Sequence, residues 1–307
     1  MKILISEFMD ERAVAQLAAH HDVDYAPTLV DDMPRLIAQA AQADALIVRN
    51  RTQVRGELLA ALTRCKVIGR LGVGLDNIDV PGCEARAMAV VPATGANALS
   101  VAEYVITASM MLLRGAFAST ADVASGKWPR NALGNGRETA GKVLGIIGFG
   151  SIGRTTARLA QGLGMQVIAF DAMLDGDAPV FQQTGVKYVE LQELIGLADV
   201  VTLHVPLVDA TRGLFDAKCI ASMKPGAILI NTSRGHIVDI AAVAASLRSR
   251  HLGGAAIDVF DAEPLAASAD LQDCPNLLLT PHISGVSAES NERVSFLIAE
   301  KVLEALR

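Results

Sequence analysis

Short runs of apolar, β-branched residues alternate along almost the whole chain with stretches whose apolar positions recur three and four residues apart. Ile3–Ile5, Val23–Tyr25, Ala45–Val48, Val67–Ile68 and Met88–Val91 predict buried strands, and Glu11–Ala19 and Arg35–Ala41 predict helices between them. A second series runs through Val143–Ile147, Val167–Phe170, Val200–Leu203, Ala227–Ile230, Ala255–Val259 and Leu277–Leu279. Strands that are apolar throughout, separated by helices, predict an α/β chain with two doubly wound parallel sheets. Between the series, Ser100-Val101-Ala102-Glu103 fits a capping box opening a helix that extends to about Phe117. Apolar residues occupy almost every side of it, which predicts burial. The turn-rich stretch Gly126 to Gly136, with the only tryptophan, Trp128, is expected to be an exposed excursion before the second sheet.

Composition narrows the class. The 307 residues suit two domains, and 51% hydrophobic against 20% charged residues excludes a disordered chain. The net charge is 27 − 33 = −6 and no Lys/Arg run occurs, so a phosphate-backbone footprint is missing and no nucleic-acid partner is expected. Met1 to Glu7 reads as a first strand and not as a signal peptide, and Tyr104 to Leu113 is too short to span a bilayer. Cys65, Cys83, Cys219 and Cys274 are scattered without a C-x-x-C pair. They are expected to be buried thiols of a cytoplasmic protein, with no metal site.

Gly148-Phe149-Gly150-Ser151-Ile152-Gly153 follows an apolar strand and opens a helix. Alone, G-x-G-x-x-G is a weak signal. Its physical use is to let backbone approach a pyrophosphate at a helix N-terminus, where unpaired N–H groups favour negative charge. The next strand ends at Asp171, 18 residues past Gly153. A carboxylate there accepts both ribose hydroxyls of an adenosine and repels a 2′-phosphate, so a Rossmann-like domain binding NAD over NADP is expected.

Three polar islands follow strands of the second series: Asn231 to Gly235, Asp258 to Pro264, and Pro281 to Gly285. Carboxyl ends of parallel strands are where such sheets bind ligands, so Arg234, Glu263 and His282 are expected to converge. They are what carbonyl reduction needs. Arg grips a carboxylate and polarises the ketone, His gives the proton, and Glu keeps the imidazole protonated.

With Arg70 to Asp79, Gly145 to Gly153, His204 to Leu207, Met223 to Gly226, Asn231 to Gly235, Asp258 to Pro264 and Thr280 to His282 in this order, the chain resembles the D-isomer-specific 2-hydroxyacid dehydrogenases, phosphoglycerate dehydrogenase included, over nearly its whole length. The resemblance implies that Arg234, Glu263 and His282 are the catalytic set. It implies that Asp258 contacts the nicotinamide carboxamide, that Thr232 and Ser233 line the cofactor cleft, and that His204, Pro206 and Gly285 belong to the same cofactor site. Backbone N–H groups around Val73 and Gly74 would hold the substrate carboxylate as an anion nest. It further implies a discontinuous substrate domain of residues 1–98 and 281–307 around an NAD domain of residues 99–280, a cleft between them, and a homodimer formed through the NAD domain. Two departures stand out: no regulatory domain follows Arg307, and Ser284 replaces a glycine often found two residues after the catalytic histidine.

The tail of the hydroxy acid is addressed by Arg49, Arg51 and Arg70, which follow two strands of the first series. A methyl or hydroxymethyl tail needs no extra cation, whereas guanidinium groups match a sulfonate or phosphate. Surface salt bridges are the alternative use of these arginines. The candidates are D-3-phosphoglycerate, 3-sulfolactate, and neutral-tailed acids handled by glyoxylate/hydroxypyruvate or D-lactate-type reductases. Because CH2–SO3 outranks carboxylate in the priority rules, a D-configured sulfolactate is the S isomer. From another class, an NAD-sensing corepressor-like scaffold shares the fold, but no basic tail or disordered extension points to it. Formate dehydrogenases carry Gln where Glu263 stands here.

Overall fold

The structure, a computed structural model, describes residues 1–272 and 274–307. It divides into two compact units, residues 1–97 with 286–307 and residues 98–285.

In the first unit five strands, β1 (Lys2–Ile5), β2 (Asp22–Tyr25), β3 (Ala45–Val48), β4 (Val67–Arg70) and β5 (Ala89–Pro92), form an all-parallel sheet in the order β2-β1-β3-β4-β5. Every residue of β3 is buried, as a strand covered on both faces requires. One face packs under Leu36, Leu58 and Leu59. The other packs under Leu17 and under Ile298 and Val302 of the last helix, Ala288–Ala305. Gly69 in β4 is where that helix comes close: a Cβ there would lie 2.8 Å from Ile298 Cγ2.

The second unit holds seven parallel strands: β6 (Val143–Ile147), β7 (Gln166–Phe170), β8 (Lys187–Tyr188), β9 (Val200–Leu203), β10 (Ile228–Asn231), β11 (Gly254–Ile257) and β12 (Leu277–Leu279), ordered β12-β11-β10-β9-β6-β7-β8. The order reverses between β6 and β9, and in the first unit between β1 and β3. Ligands of open parallel sheets bind outside the strand ends at such reversals.

The helix between the two series spans Ala98–Arg114. It starts before Ser100, which lies inside the first turn and not at the cap. Nor is it buried all round: Val101, Val105, Ala108 and Leu112 face the core, while Leu99, Glu103, Thr107 and Met110 form an exposed stripe at helical spacing. The excursion after it carries only short helices, and Trp128 is 76% exposed. Cys65 and Cys83 are buried thiols as expected, whereas Cys219 and Cys274 are partly exposed. No helix among the described residues is long and apolar enough to cross a membrane, and no cluster of metal-ligating side chains occurs among them.

Candidate active site

At the β6/β9 reversal the glycine-rich turn is forced by its neighbours. Gly148 has φ +94°, and a Cβ on it would run into the His204 carbonyl at the end of β9. A Cβ on Gly153 would strike the Gly148 carbonyl, so the helix Ser151–Gly162 can approach the strand only with glycine there. A Cβ on Gly150, the N-cap, would meet nothing. No side chain caps this helix, so its first-turn N–H groups are left without a side-chain acceptor at the cap. Asp171 sits beside the turn: its Oδ2 accepts the Phe149 N–H at 2.7 Å and its Oδ1 the Met173 N–H at 2.9 Å. His204 is partly buried, its Nε2 3.2 Å from Thr202 Oγ1, and desolvation pushes it down to about 3, so it stays neutral. Pro206 lies two residues beyond, in the loop after β9.

The loop after β10 is built by Asn231, fully buried. Its Oδ1 accepts the Ser233 N–H at 3.0 Å and its Nδ2 donates to the Arg234 carbonyl at 2.9 Å. Ser233 Oγ donates to the Leu203 carbonyl at 2.6 Å, tying this loop to β9. Arg234 Nη1 donates to the Ser233 carbonyl at 2.6 Å. Thr232 Oγ1 is buried without a partner among the described residues, a cost that a ligand hydrogen bond would remove. Gly235 packs so tightly on the backbone of Phe260 and Asp261 that any Cβ would collide with it. The Arg234 loop and the loop carrying Glu263 are thereby locked together.

Glu263 Oε2 lies 2.7 Å from His282 Nδ1, and Glu263 Oε1 accepts the Phe260 N–H at 3.0 Å. Both side chains are about one-third exposed (34% and 38%), so a substrate can reach the imidazole. His282 is held at φ 57°, a region that non-glycine residues seldom adopt. Its N–H donates to the carbonyls of Asp258 and Thr280 at 2.8 and 3.0 Å. The Asp258 carboxylate, fully buried, takes Thr280 Oγ1 at 2.6 Å and the Ile283 N–H at 2.8 Å on Oδ1, and the Ser284 N–H at 2.8 Å on Oδ2. Tyr104 Oη, 2.6 Å from Thr280 Oγ1, extends the chain. Asp258 thus anchors the His282 segment, a role the sequence reading did not assign it, and only an Oδ2 lone pair remains for a nicotinamide amide. Ser284 is buried and serves as that anchor's donor; Gly285 ends the segment.

In the first unit the β1/β3 reversal is closed by Glu7, 4% exposed. Its carboxylate accepts the N–H groups of Arg49, Arg51 and Thr52 at 2.8, 3.1 and 3.0 Å. Asn77 binds the carbonyls of Arg49 and Thr52 through Nδ2 and receives Arg70 Nε at 3.2 Å. The three arginines then part company. Arg51 forms an exposed ion pair with Asp31. The Arg70 guanidinium lies against Gly72, next to Val73 and Gly74, whose N–H groups no described residue accepts. Arg49 donates Nη2 to Asn291 Oδ1 at 2.8 Å and lies 5.7 Å from the Phe8 ring centroid. Burial pushes its guanidinium below the ordinary value, with the Glu7 charge opposing. Among the described residues no carboxylate lies within salt-bridge distance of it.

The D-isomer specific 2-hydroxyacid dehydrogenase family, in its NAD binding domain, matches residues 106–284, more than half of the chain. An (S)-sulfolactate dehydrogenase of Chromohalobacter salexigens is 54% identical over 99% of this chain and 98% of that protein. A D-3-phosphoglycerate dehydrogenase of Synechocystis is 34% identical over 99% of this chain, which spans only 54% of that protein's length. Among solved structures, a D-lactate dehydrogenase from Aquifex aeolicus complexed with NAD and lactic acid superposes with a TM-score of 0.87, at 26% identity, covering all of this chain and 95% of that one.

Proposed function

The chain belongs to the D-isomer-specific 2-hydroxyacid dehydrogenases and is an NAD-dependent enzyme of that family; within it we propose that the substrate is a D-configured 2-hydroxy acid with a singly charged tail, (S)-3-sulfolactate. The observation that carries the tail is the contrast between two guanidinium groups: that of Arg51 is ion-paired with Asp31, while that of Arg49 feels the Glu7 charge but has no carboxylate within salt-bridge distance among the described residues. A partly buried, unneutralised guanidinium is costly unless an anion meets it. One such cation matches a sulfonate, charge −1, better than a phosphate ester, whose charge approaches about −2 at neutral pH. The 54% identity to a sulfolactate dehydrogenase supports the same choice. The substrate carboxylate goes to the Val73 and Gly74 amides beside Arg70.

Residues in the loops that follow β6, β7 and β10 fit NAD: open space over Gly150, the Asp171 carboxylate, and the Thr232 hydroxyl, unpartnered among the described residues. Bound there, NAD would supply the hydride acceptor for C2 of the hydroxy acid. His282 takes the hydroxyl proton on Nε2, the nitrogen not facing Glu263. Glu263 fixes the tautomer through Nδ1 and offsets the charge of the imidazolium that forms. Arg234 donates to the oxygen as it becomes a carbonyl and, in the reverse direction, polarises it for hydride attack. We place substrate binding in the first unit and cofactor binding in the second.

The partly exposed free thiols suit the cytoplasm. We further propose that the chain pairs as a homodimer through its NAD domain, where Phe117, Val123 and Trp128 are each exposed; light scattering at the mass of two chains is the expected result. The function itself is tested by stereochemistry. NADH is expected to form from (S)-3-sulfolactate and not from the R isomer, and the reaction is lost in His282→Ala. Equal rates with both isomers contradict the assignment.

A further inference from the structure

The tail-binding arginine is held by a residue 242 positions away in sequence. Asn291 stands near the start of the last helix of the first unit, four residues past its N-cap, Ser287. Its Oδ1 accepts Arg49 Nη2 at 2.8 Å. The opposite support is apolar, the Phe8 ring at 5.7 Å. The nearby acid on the same turn, Glu292, is turned to Arg12 at 2.9 Å.

We infer that Asn291 is a specificity-determining positioning residue, orienting Arg49 for an anionic tail without supplying a carboxylate to pair with its guanidinium. This rests on the proposal above that Arg49 receives the tail. An amide carbonyl and a carboxylate oxygen accept the same guanidinium hydrogen bond with nearly the same geometry. They differ in charge: an Asp at this position would pair with Arg49 and repel the incoming sulfonate. The amide therefore fixes a long, rotamer-rich side chain without cancelling the cation that selects the substrate, which lowers the ordering cost of binding. Arg51 shows the other outcome at the same loop, where Asp31 engages the guanidinium. The helix start adds a modest positive field of the same sign.

Asn291→Asp is the sharpest test because it is isosteric. With NAD saturating, kcat and KM are measured for (S)-3-sulfolactate and for D-lactate in the parent, Asn291→Asp, Asn291→Ala and Arg49→Ala. Asn291→Asp is expected to lower the sulfolactate-to-lactate ratio of kcat/KM by roughly tenfold to a hundredfold, through KM for sulfolactate. Asn291→Ala should lower it less, since the cation is loosened but still unpaired. If Arg49→Ala lowers the ratio and Asn291→Asp leaves it within about twofold, the inference is overturned and the tail assignment stands. If Arg49→Ala also leaves the ratio unchanged, the tail assignment falls, and this inference with it. Equal losses with both substrates in Asn291→Asp mark a merely structural residue and likewise overturn it.

Discussion

His282 Nδ1 and Glu263 Oε2 lie 2.7 Å apart, which leaves Nε2 as the ring nitrogen that does not face Glu263. In the proposed mechanism, removing the ring removes the proton acceptor. His282→Ala is expected to lower kcat by about 10²–10⁴-fold, while NADH still binds with near-parental affinity by fluorescence titration. Glu263→Gln should cost less, because the amide keeps the Phe260 contact and the ring position but not the charge. A His282→Ala enzyme with parental turnover would remove the histidine from the mechanism.

Gly235 sits between the loops that carry Arg234 and Glu263. Gly235→Ala drives a Cβ into the backbone of Phe260 and Asp261 and is expected to cost about 1–3 kcal/mol of stability, as overpacking does. It should also lower kcat, since Arg234 and Glu263 are displaced together. Chemical denaturation and steady-state kinetics on the same sample check both. Parental values of each would show that the loops are not coupled through this glycine.

Asp171 accepts two backbone N–H groups at the glycine-rich turn and holds its carboxylate where a ribose is expected. Asp171→Ser is expected to weaken NAD and admit NADP, shifting the preference by tenfold or more, about 1.4 kcal/mol for each factor of ten. An unmodified enzyme equally efficient with both cofactors contradicts this.

His204 supplies a pH dependence. Its folded-state value, about 3, is depressed by burial from the ordinary 6.5. Stability associated with the neutral ring is therefore fully present above pH 6.5 and is lost as pH falls toward 3, at up to about 1.4 kcal/mol per pH unit. His204→Asn, which cannot take a proton, should flatten the fall in melting temperature between pH 6.5 and pH 4. Identical slopes for parent and variant would contradict the burial of a neutral imidazole.

Much of the fold was legible because parallel strands covered on both faces read as unbroken apolar runs, and β3 and β9 are buried at every residue. The strand β8 was not, being two residues, Lys187 and Tyr188, at a sheet edge. The apolar residues on almost every side between Val101 and Leu113 predict burial all round, yet Met110 among them is exposed, since apolar residues do occupy surface faces. The meeting of Glu263 and His282, with the Arg234 loop packed beside them, was legible because all three lie in polar islands that follow apolar strands. Glu7, Asn77 and Asn291 were not. Each makes anchoring contacts 25 to 242 residues away, and no local spacing marks a buried carboxylate filling an amide nest or an amide holding a distant arginine. Asn231 lay within a polar island, but its role as the scaffold of the Arg234 loop appears only once both its hydrogen bonds are seen.

Arg49, a guanidinium without an ion pair, is proposed to select a monoanionic tail on a D-configured 2-hydroxy acid. The deciding measurement is NADH formation from (S)-3-sulfolactate, D-3-phosphoglycerate and D-lactate under one set of conditions. The highest kcat/KM is expected for sulfolactate, with lactate lower by at least about tenfold, the lower end of what one charge-assisted hydrogen bond contributes. A kcat/KM for D-lactate equal to or above that for sulfolactate would contradict it.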